Sequence, residues 1–377
     1  MAERKRITLI YQYNDNWIGG TYYILNIIKA LNFLPNEEKP QLTVIYGKNT
    51  DYSLIETINY PFIDFVGADF TFSFVAKAIN RISRSVLKKP LIKTILPLAQ
   101  IDNLYPVSDF ISTRNVKNYF YWIPDFQEHY LPDFFSPREI SDRRDTQLNI
   151  KRLEVPVVFS SNNAKDDFNK FYPGNTNKEA VLKFVSILDP KYAEVELDSL
   201  FEKYAITLPY FIVPNQFWKH KNQEVVLKAL TLLKETGLQF QVIFTGKEFD
   251  HRHPDHIANI KKYVIDNQLS ENVSFLGFID REHQLQLMKN SLAIIQPSLF
   301  EGWSTVVEDT KALNHFIILS NIPLHKEQIN LNCLFFDPLD EKELASRILE
   351  TLKGVTIQEQ NYRINIIEFA KKFISIF

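Results

Sequence analysis

A single cysteine, Cys333, stands in a chain of 377 residues, so no disulfide can close within it. One thiol also rules out any cysteine–histidine set at zinc-finger spacing. His251, His253 and His256 cluster near a loop, but no cysteine or fixed carboxylate completes a metal shell there, and the cluster reads as polar surface. No Asp-x-Asp pair follows a strand-like run, so no bound metal is expected. No apolar run reaches the roughly 20 residues that span a bilayer. The opening residues, Met-Ala-Glu-Arg-Lys-Arg, lead into a strand-like run rather than the h-region of a signal peptide. The expected location is cytoplasmic, with at most a peripheral place on the inner face of a membrane. Net charge is −2, so nothing global points to nucleic acid or another polyanion. The chain also lacks G-x-G-x-x-G, a glycine-flanked nucleophile elbow around Ser160-Ser161, and any repeat of 20–50 residues.

What is present is ordinary for a packed protein. Hydrophobic residues make up 45% and charged residues 23%, so disorder is not the default. The length exceeds one comfortable core and suits two domains. Strand-like runs at 6–13, 41–46, 62–66, 118–123, 155–160 and 180–185 occupy the first half, with a helix at 21–31. The second half restarts at 210–213. It continues with strands at 240–244, 273–278, 292–296, 316–320 and 334–336. Helical spacing lies between them at 222–233, 255–266, 281–290 and 306–313, and closing helices at 340–352 and 357–374. Such alternation implies α/β architecture, with parallel sheets covered by helices. A polar stretch over 188–208 separates the halves. Two similar Rossmann-like units facing a cleft are therefore expected, at 1–190 and 205–356.

The stretch 296–309 carries the strongest chemical signal. Glu301 sits on a strand-to-helix loop, and Glu308 and Asp309 sit in the first turn of the helix that follows. An α/β protein holds small polar ligands at that place, and carboxylate oxygens accept hydrogen bonds from sugar or ribose hydroxyls. A second segment, 214–222, follows the first strand of the second half. Lys219 and Lys221 flank His220 there, and a helix N-terminus adds to their charge, which suits a diphosphate; the bland reading is a solvated basic turn. In the loop 14–21, the paired Gly19 and Gly20 before a helix let backbone N–H groups approach an anionic or hydroxylated ligand, or simply make a tight turn. The loop 121–136 places Asp125, Gln127, Glu128 and His129 among aromatics, stiffened by Pro124 and Pro132. It suits an acceptor, or is a packed loop. Residues 71–100 read as helical, with Lys77, Arg81, Arg84, Lys88, Lys89 and Lys93 interleaved with apolar side chains. This is a candidate membrane-facing surface or an ordinary covering helix.

On these residues the chain resembles the retaining, GT-B-fold nucleotide-sugar glycosyltransferases of glycosyltransferase family 4, most closely over 208–340. The family's donor-binding Glu-Gly-(aromatic)-Gly…Glu segment corresponds to Glu301, Gly302, Trp303, Ser304 and Thr305, with Ser304 where the family has glycine. The resemblance implies that Glu301 contacts the donor sugar. Family spacing puts the ribose carboxylate on Asp309, with Glu308 as the alternative. The family's Arg-x-x-x-x-Lys pair falls on Gln216 and Lys221, and Lys219 is a candidate for the missing charge. Gly19 and Gly20 match the glycine loop facing the diphosphate. Gly246, Gly277 and Phe278 match strand ends lining the base pocket. His129 stands one position later than a histidine found near the donor sugar. The last helix, 357–377, is expected to cross back onto the first domain.

The implied function is metal-independent transfer of a hexose, with retention, from a nucleoside diphosphate sugar to a glycan or lipid-linked glycan. No separate cofactor is implied. Alternatives are a non-catalytic nucleotide-sugar or glycan-binding protein on the same fold, or a GT-B epimerase. A compositional bias towards Ile, Asn, Lys and Phe suggests an AT-rich bacterial genome, where relatives of this kind build surface polysaccharide.

Overall fold

The computed structural model describes residues 4–13, 18–207, 209–235, 237 and 239–377, with Ile18 described by its backbone alone. The chain divides into two compact units. One is Met1–Val185 with Arg363–Phe377, and the other is Ser186–Tyr362.

The first unit runs β1 (Arg6–Tyr11), α1 (Ile18–Leu31), β2 (Gln41–Gly47), α2 (Ser53–Glu56), β3 (Ile63–Ala68), α3 (Phe74–Leu87), β4 (Ile101–Val107) and β5 (Val116–Ile123). It continues with α4 (Gln127–Tyr130), α5 (Pro137–Leu153), β6 (Val157–Phe159), α6 (Asn162–Phe171) and β7 (Glu179–Val181). Its strands form one parallel sheet in the order β3-β2-β1-β4-β5-β6-β7. Parallel strands are covered on both faces and so read as continuous apolar runs. In β1, five of six residues are buried.

The second unit contains α7 (Leu197–Lys203), β8 (Tyr210–Pro214), α8 (Gln223–Lys234), β9 (Gln241–Thr245), α9 (His256–Asp266), β10 (Val273–Phe275) and α10 (Arg281–Lys289). β11 (Ile294–Gln296), α11 (Thr305–Ala312), β12 (Ile317–Ser320), α12 (Pro323–Gln328), β13 (Cys333–Phe336) and α13 (Glu341–Leu352) complete it. The parallel order is β10-β9-β8-β11-β12-β13. α8 turns Val225, Val226, Ala229, Leu230 and Leu233 into a core with Phe211, Val213, Val242 and Phe244 of the sheet. Each such large side chain contributes about 1.5–3 kcal/mol when fully buried. The chain then returns to the first unit as α14 (Arg363–Ser375), packed against α1.

Several local expectations need correction. The helix read over 71–100 stops at Leu87. Lys88 adopts a left-handed conformation, and Pro90 disfavours helix at Lys89. The closing helix begins at Arg363 rather than 357. Gly19 and Gly20 do not precede the first helix but lie in its first turn. Residues 14–17 fall outside the described residues. β4, α5 and α6 were not legible. In β4 the polar Asn103 is accommodated because its side chain donates to the Arg6 carbonyl at 2.8 Å and accepts from Asn118 at 3.1 Å.

Candidate functional site

In the second sheet β8 connects towards β9 on one side, while β11 connects towards β12 on the other. The chain order therefore reverses between β8 and β11. Ligands of open α/β sheets bind outside the carboxyl ends of the strands at such a switch point. The loop after β8 carries Lys221 and the loop after β11 carries Glu301, so both candidates arrive at this point.

The structure brings them into direct contact. Lys221 Nζ lies 2.7 Å from Glu301 Oε1. The same oxygen accepts from Gln296 Nε2 at 2.8 Å and from Ser298 Oγ at 2.6 Å. Gln296 is held in turn by Asn215, which donates to its Oε1 at 2.7 Å. These contacts all converge on Oε1. Among the described contacts Oε2 takes no part in this set, and it stands on the loop beyond the carboxyl end of β11, on a side chain only 8% exposed. Burial alone would raise the Glu301 pKa, but the Lys221 ammonium, through its charge and its hydrogen bond, holds it below the usual carboxylate value. The group is an anion at neutral pH. Asn222, left-handed at φ 57°, pins the β8 loop by donating to the carbonyls of Pro297 and Pro338.

Glu308 and Asp309 are both buried and both engaged within the unit. Glu308 accepts from Lys311 and Gln328, each at 2.9 Å, and from the Tyr362 hydroxyl at 2.5 Å. Asp309 Oδ1 accepts from Arg281 at 2.5 Å and from the Ser186 hydroxyl. Ser304 caps α11, with Oγ accepting from the Val307 N–H, and Gln328 clasps both its N–H and its carbonyl. Thr305 is the first residue of that helix, and Gly302 and Trp303 lie half-buried on the loop before it.

The remaining second-unit candidates sit on neighbouring strand ends. The Gly246 N–H donates to the Gly277 carbonyl at 2.8 Å. Gly246 has φ +132°, and a Cβ there would lie 2.3 Å from the Asn215 carbonyl oxygen. That overlap with rigid backbone makes glycine obligatory. Gly246→Ala is expected to lower stability by roughly 3 kcal/mol, measured by urea unfolding, through strain and displacement of the β8 loop. Gln216 accepts from the Trp218 indole at 2.7 Å, and the Arg252 guanidinium lies 4.9 Å from the Trp218 ring centroid. Lys219 is exposed, its N–H bonded to the buried Asp250 at 3.0 Å. Phe278 is 70% exposed.

His129, Gly19 and Gly20 belong to the first unit. His129 stacks on Phe171, centroids 3.9 Å apart, and burial lowers its pKa. The carboxylates beside it in sequence are tied to α5. Arg143 donates to Glu128 at 2.6 Å and to Asp125 at 2.5 Å, and Gln147 donates to Glu128 at 2.7 Å. The loop 121–136 is thus stiffened by an ion network, and it contains α4.

Sequence reasoning missed the residues that position Glu301. Gln296 and Ser298 lay inside the flagged stretch, but their aim depends on the loop's path. His325 was also unmarked. It is fully buried, with Nδ1 2.8 Å from the Ser320 carbonyl, and no described residue reaches its Nε2. Burial pushes its pKa down to about 4, and burial does the same to His315. Both are neutral in the folded state while their unfolded counterparts titrate near 6.5. Stability is therefore expected to be flat above pH 6.5. It should fall by about 1.4 kcal/mol per pH unit per histidine as pH drops from 6.5 towards 4. Urea unfolding at pH 7.5, 6.0 and 5.0 measures this, and His325→Gln should reduce the slope.

Residues 198–373 match the family model described as Glycosyl transferases group 1. The O-antigen chain mannosyltransferase RfbU of Salmonella typhimurium is 24% identical over 242 residues, 64% of this chain and 63% of that protein. The match thus spans less than two thirds of that relative's length. Among solved structures, Anabaena Alr3699/HepE in complex with UDP and glucose superposes with a TM-score of 0.70 at 14% identity, covering 99% of both chains. A glycosyltransferase from Rickettsia africae ESF-5 superposes with a TM-score of 0.63 at 17% identity, covering 99% of this chain and 94% of that one. At these identities the structural likeness establishes the fold. The chain therefore has the GT-B fold, and over residues 198–373 it is similar to glycosyl transferases group 1.

Proposed function

We propose that the protein is a retaining, metal-independent glycosyltransferase that moves a hexose from a nucleoside diphosphate sugar to a hydroxyl of a glycan or lipid-linked glycan. The observation that carries this reading is the Lys221–Glu301 pair at the switch point of the group 1 segment. Glu301 spends one oxygen on its supports, and Oε2 remains to accept from sugar hydroxyls and orient the ring. Negative charge develops on the leaving diphosphate, and Lys221 is the cation placed beside that sugar. A preorganised donor of this kind contributes about 2–4 kcal/mol to the transition state. The relatives support a hexose donor. One is named for mannosyl transfer, and another was solved with UDP and glucose.

The test is turnover with a panel of UDP-, GDP-, ADP- and dTDP-hexoses, with and without EDTA, reading nucleoside diphosphate release and the product anomer by NMR. Retention with no loss in EDTA is expected. An inverted anomer removes the retaining assignment, and loss of turnover in EDTA removes metal independence. Binding without transfer or hydrolysis points to a binding protein, and an epimerised donor points to an epimerase.

A further inference from the structure

The helix α3 is attached the wrong way round for an ordinary covering helix. Such a helix turns its apolar stripe to the core and its polar side to water. Here the buried residues are Ala76, Asn80 and Ser83, small or polar and spaced i, i+4, i+7. The apolar stripe Val75, Ile79, Ile82 and Val86, also at helical spacing, is exposed, with Val86 at 72%. Phe74, at the first turn, is 86% exposed. Beyond the helix, Leu91 and Ile95 continue the surface.

Polar contacts hold the segment in place. Asn80 accepts from the backbone N–H groups of Leu91 and Ile92 and donates to the Ile92 carbonyl at 2.8 Å. Arg84 and Lys88 reach Asp142 and Asp145 of α5, each at 3.5 Å. The exposed apolar stripe is therefore not a by-product of loose attachment.

Charge on this surface has one sign. Residues 71–100 hold six basic side chains and no acidic one, in a chain whose net charge is −2. Two of the six are neutralised by Asp142 and Asp145. Lys77, Arg81, Lys89 and Lys93 are exposed. On the helix, Lys77 and Arg81 lie on the flank opposite the apolar stripe across the packed face. Long basic side chains can lay their stems along apolar surface and carry the charge outward to an anionic partner.

We propose that α3, with residues 88–95, is a docking surface for an anionic lipid bilayer, lying in the interface with its apolar stripe among the acyl chains and Lys77, Arg81, Lys89 and Lys93 at the phosphates. Exposed apolar area and unopposed positive charge on one segment are the two terms that hold interfacial helices on such membranes. A protein partner would need complementary acidic and apolar surfaces in register, whereas a bilayer supplies both at any rotation. The proposal stands independently of the glycosyl-transfer reading.

The test is flotation of the full-length protein with vesicles of phosphatidylcholine alone and with about 30% phosphatidylglycerol, in low and 0.5 M salt. Comparison proteins are Ile82→Asp/Val86→Asp and Lys77→Glu/Arg81→Glu. All these positions are exposed, so unchanged circular dichroism and thermal midpoints are expected. Wild type should float with the anionic vesicles and much less with neutral ones, and salt should release it. Each double variant should reduce partitioning by on the order of tenfold or more. Absence of binding at low salt, or binding that neither variant reduces, overturns the proposal. So does concentration-dependent self-association in light scattering that Ile82→Asp/Val86→Asp abolishes without any vesicle binding by wild type, since the occupant is then a second copy.

Discussion

Lys221→Met is expected to lower the thermal midpoint of the second unit by roughly 10 °C and to remove nearly all sugar transfer. The pair it breaks is well shielded, with side-chain exposures of 18% for Lys221 and 7% for Glu301. Removing one member of a buried ion pair costs about 3–5 kcal/mol, because the other charge is left uncompensated. For units of this size each kcal/mol shifts the midpoint by roughly 2–4 °C. The pH dependence identifies the cause. In the wild type Glu301 titrates below its ordinary value, so its contribution is present above the unfolded pKa and lost as pH falls through the folded one. In the variant burial prevails and the carboxyl pKa rises. The stability gap between wild type and variant should therefore be widest at pH 7–8 and narrow towards pH 5.

Glu301→Gln separates stability from chemistry. The amide oxygen can still accept from Lys221, Gln296 and Ser298, and the orphaned charge is now on Lys221, the more exposed partner at 18%, so the midpoint should fall less than in Lys221→Met. Transfer should still fall by about 100-fold, because a neutral amide positions sugar hydroxyls poorly. Near wild-type turnover in both variants would remove the pair from the site. Equal midpoints for Lys221→Met and wild type would show that the ion pair carries no stability.

Arg143→Met should have a comparable effect in the first unit, a loss of about 3–5 kcal/mol. Glu128 is fully buried and Asp125 partly so, and one guanidinium serves both. Burial would lower the Arg143 pKa, but the two carboxylates more than offset this and keep it charged. Without it, Glu128 retains only Gln147 among the hydrogen bonds described above. Arg143→Lys should recover only part of the loss, since a single ammonium lacks the planar fork that spans two carboxylates. Because the chain has two units, one global midpoint is ill-defined. Hydrogen exchange resolved by peptide is the appropriate measurement, with lost protection expected around α4 and α5 for Arg143→Met. Protection lost evenly over both units would contradict a local role.

The strands that were legible share one property. β8 and β9 are buried along their whole length, and their apolar side chains run unbroken through β8 and through Val242, Ile243 and Phe244 of β9. β4 was not legible because Asp102, Asn103 and Pro106 interrupt that run, and Asn103 finds its partners, Arg6 and Asn118, on neighbouring strands. α5 buries only Gln147 and Ile150 of its 17 residues, too few to leave a periodic trace. The carboxylates after Glu301 show the same limit within the site. Spacing identified Glu308 and Asp309, but Ser186 and Tyr362, which occupy them, lie 123 and 54 residues away along the chain. Nothing local signals such contacts.

Sequence alone determined that this is a two-unit parallel α/β protein, and that Glu301 and Lys221 stand on strand-to-helix loops. Both follow from local rules, since apolar runs make buried strands and such loops lie at their carboxyl ends. Tertiary structure decided what those residues do to each other. Sheet order puts the β8 and β11 loops side by side, and that adjacency turns two residues 80 positions apart into one ion pair. It also decided which side of α3 faces outward. Periodicity reports that a helix has an apolar stripe, but packing alone determines whether the stripe is buried.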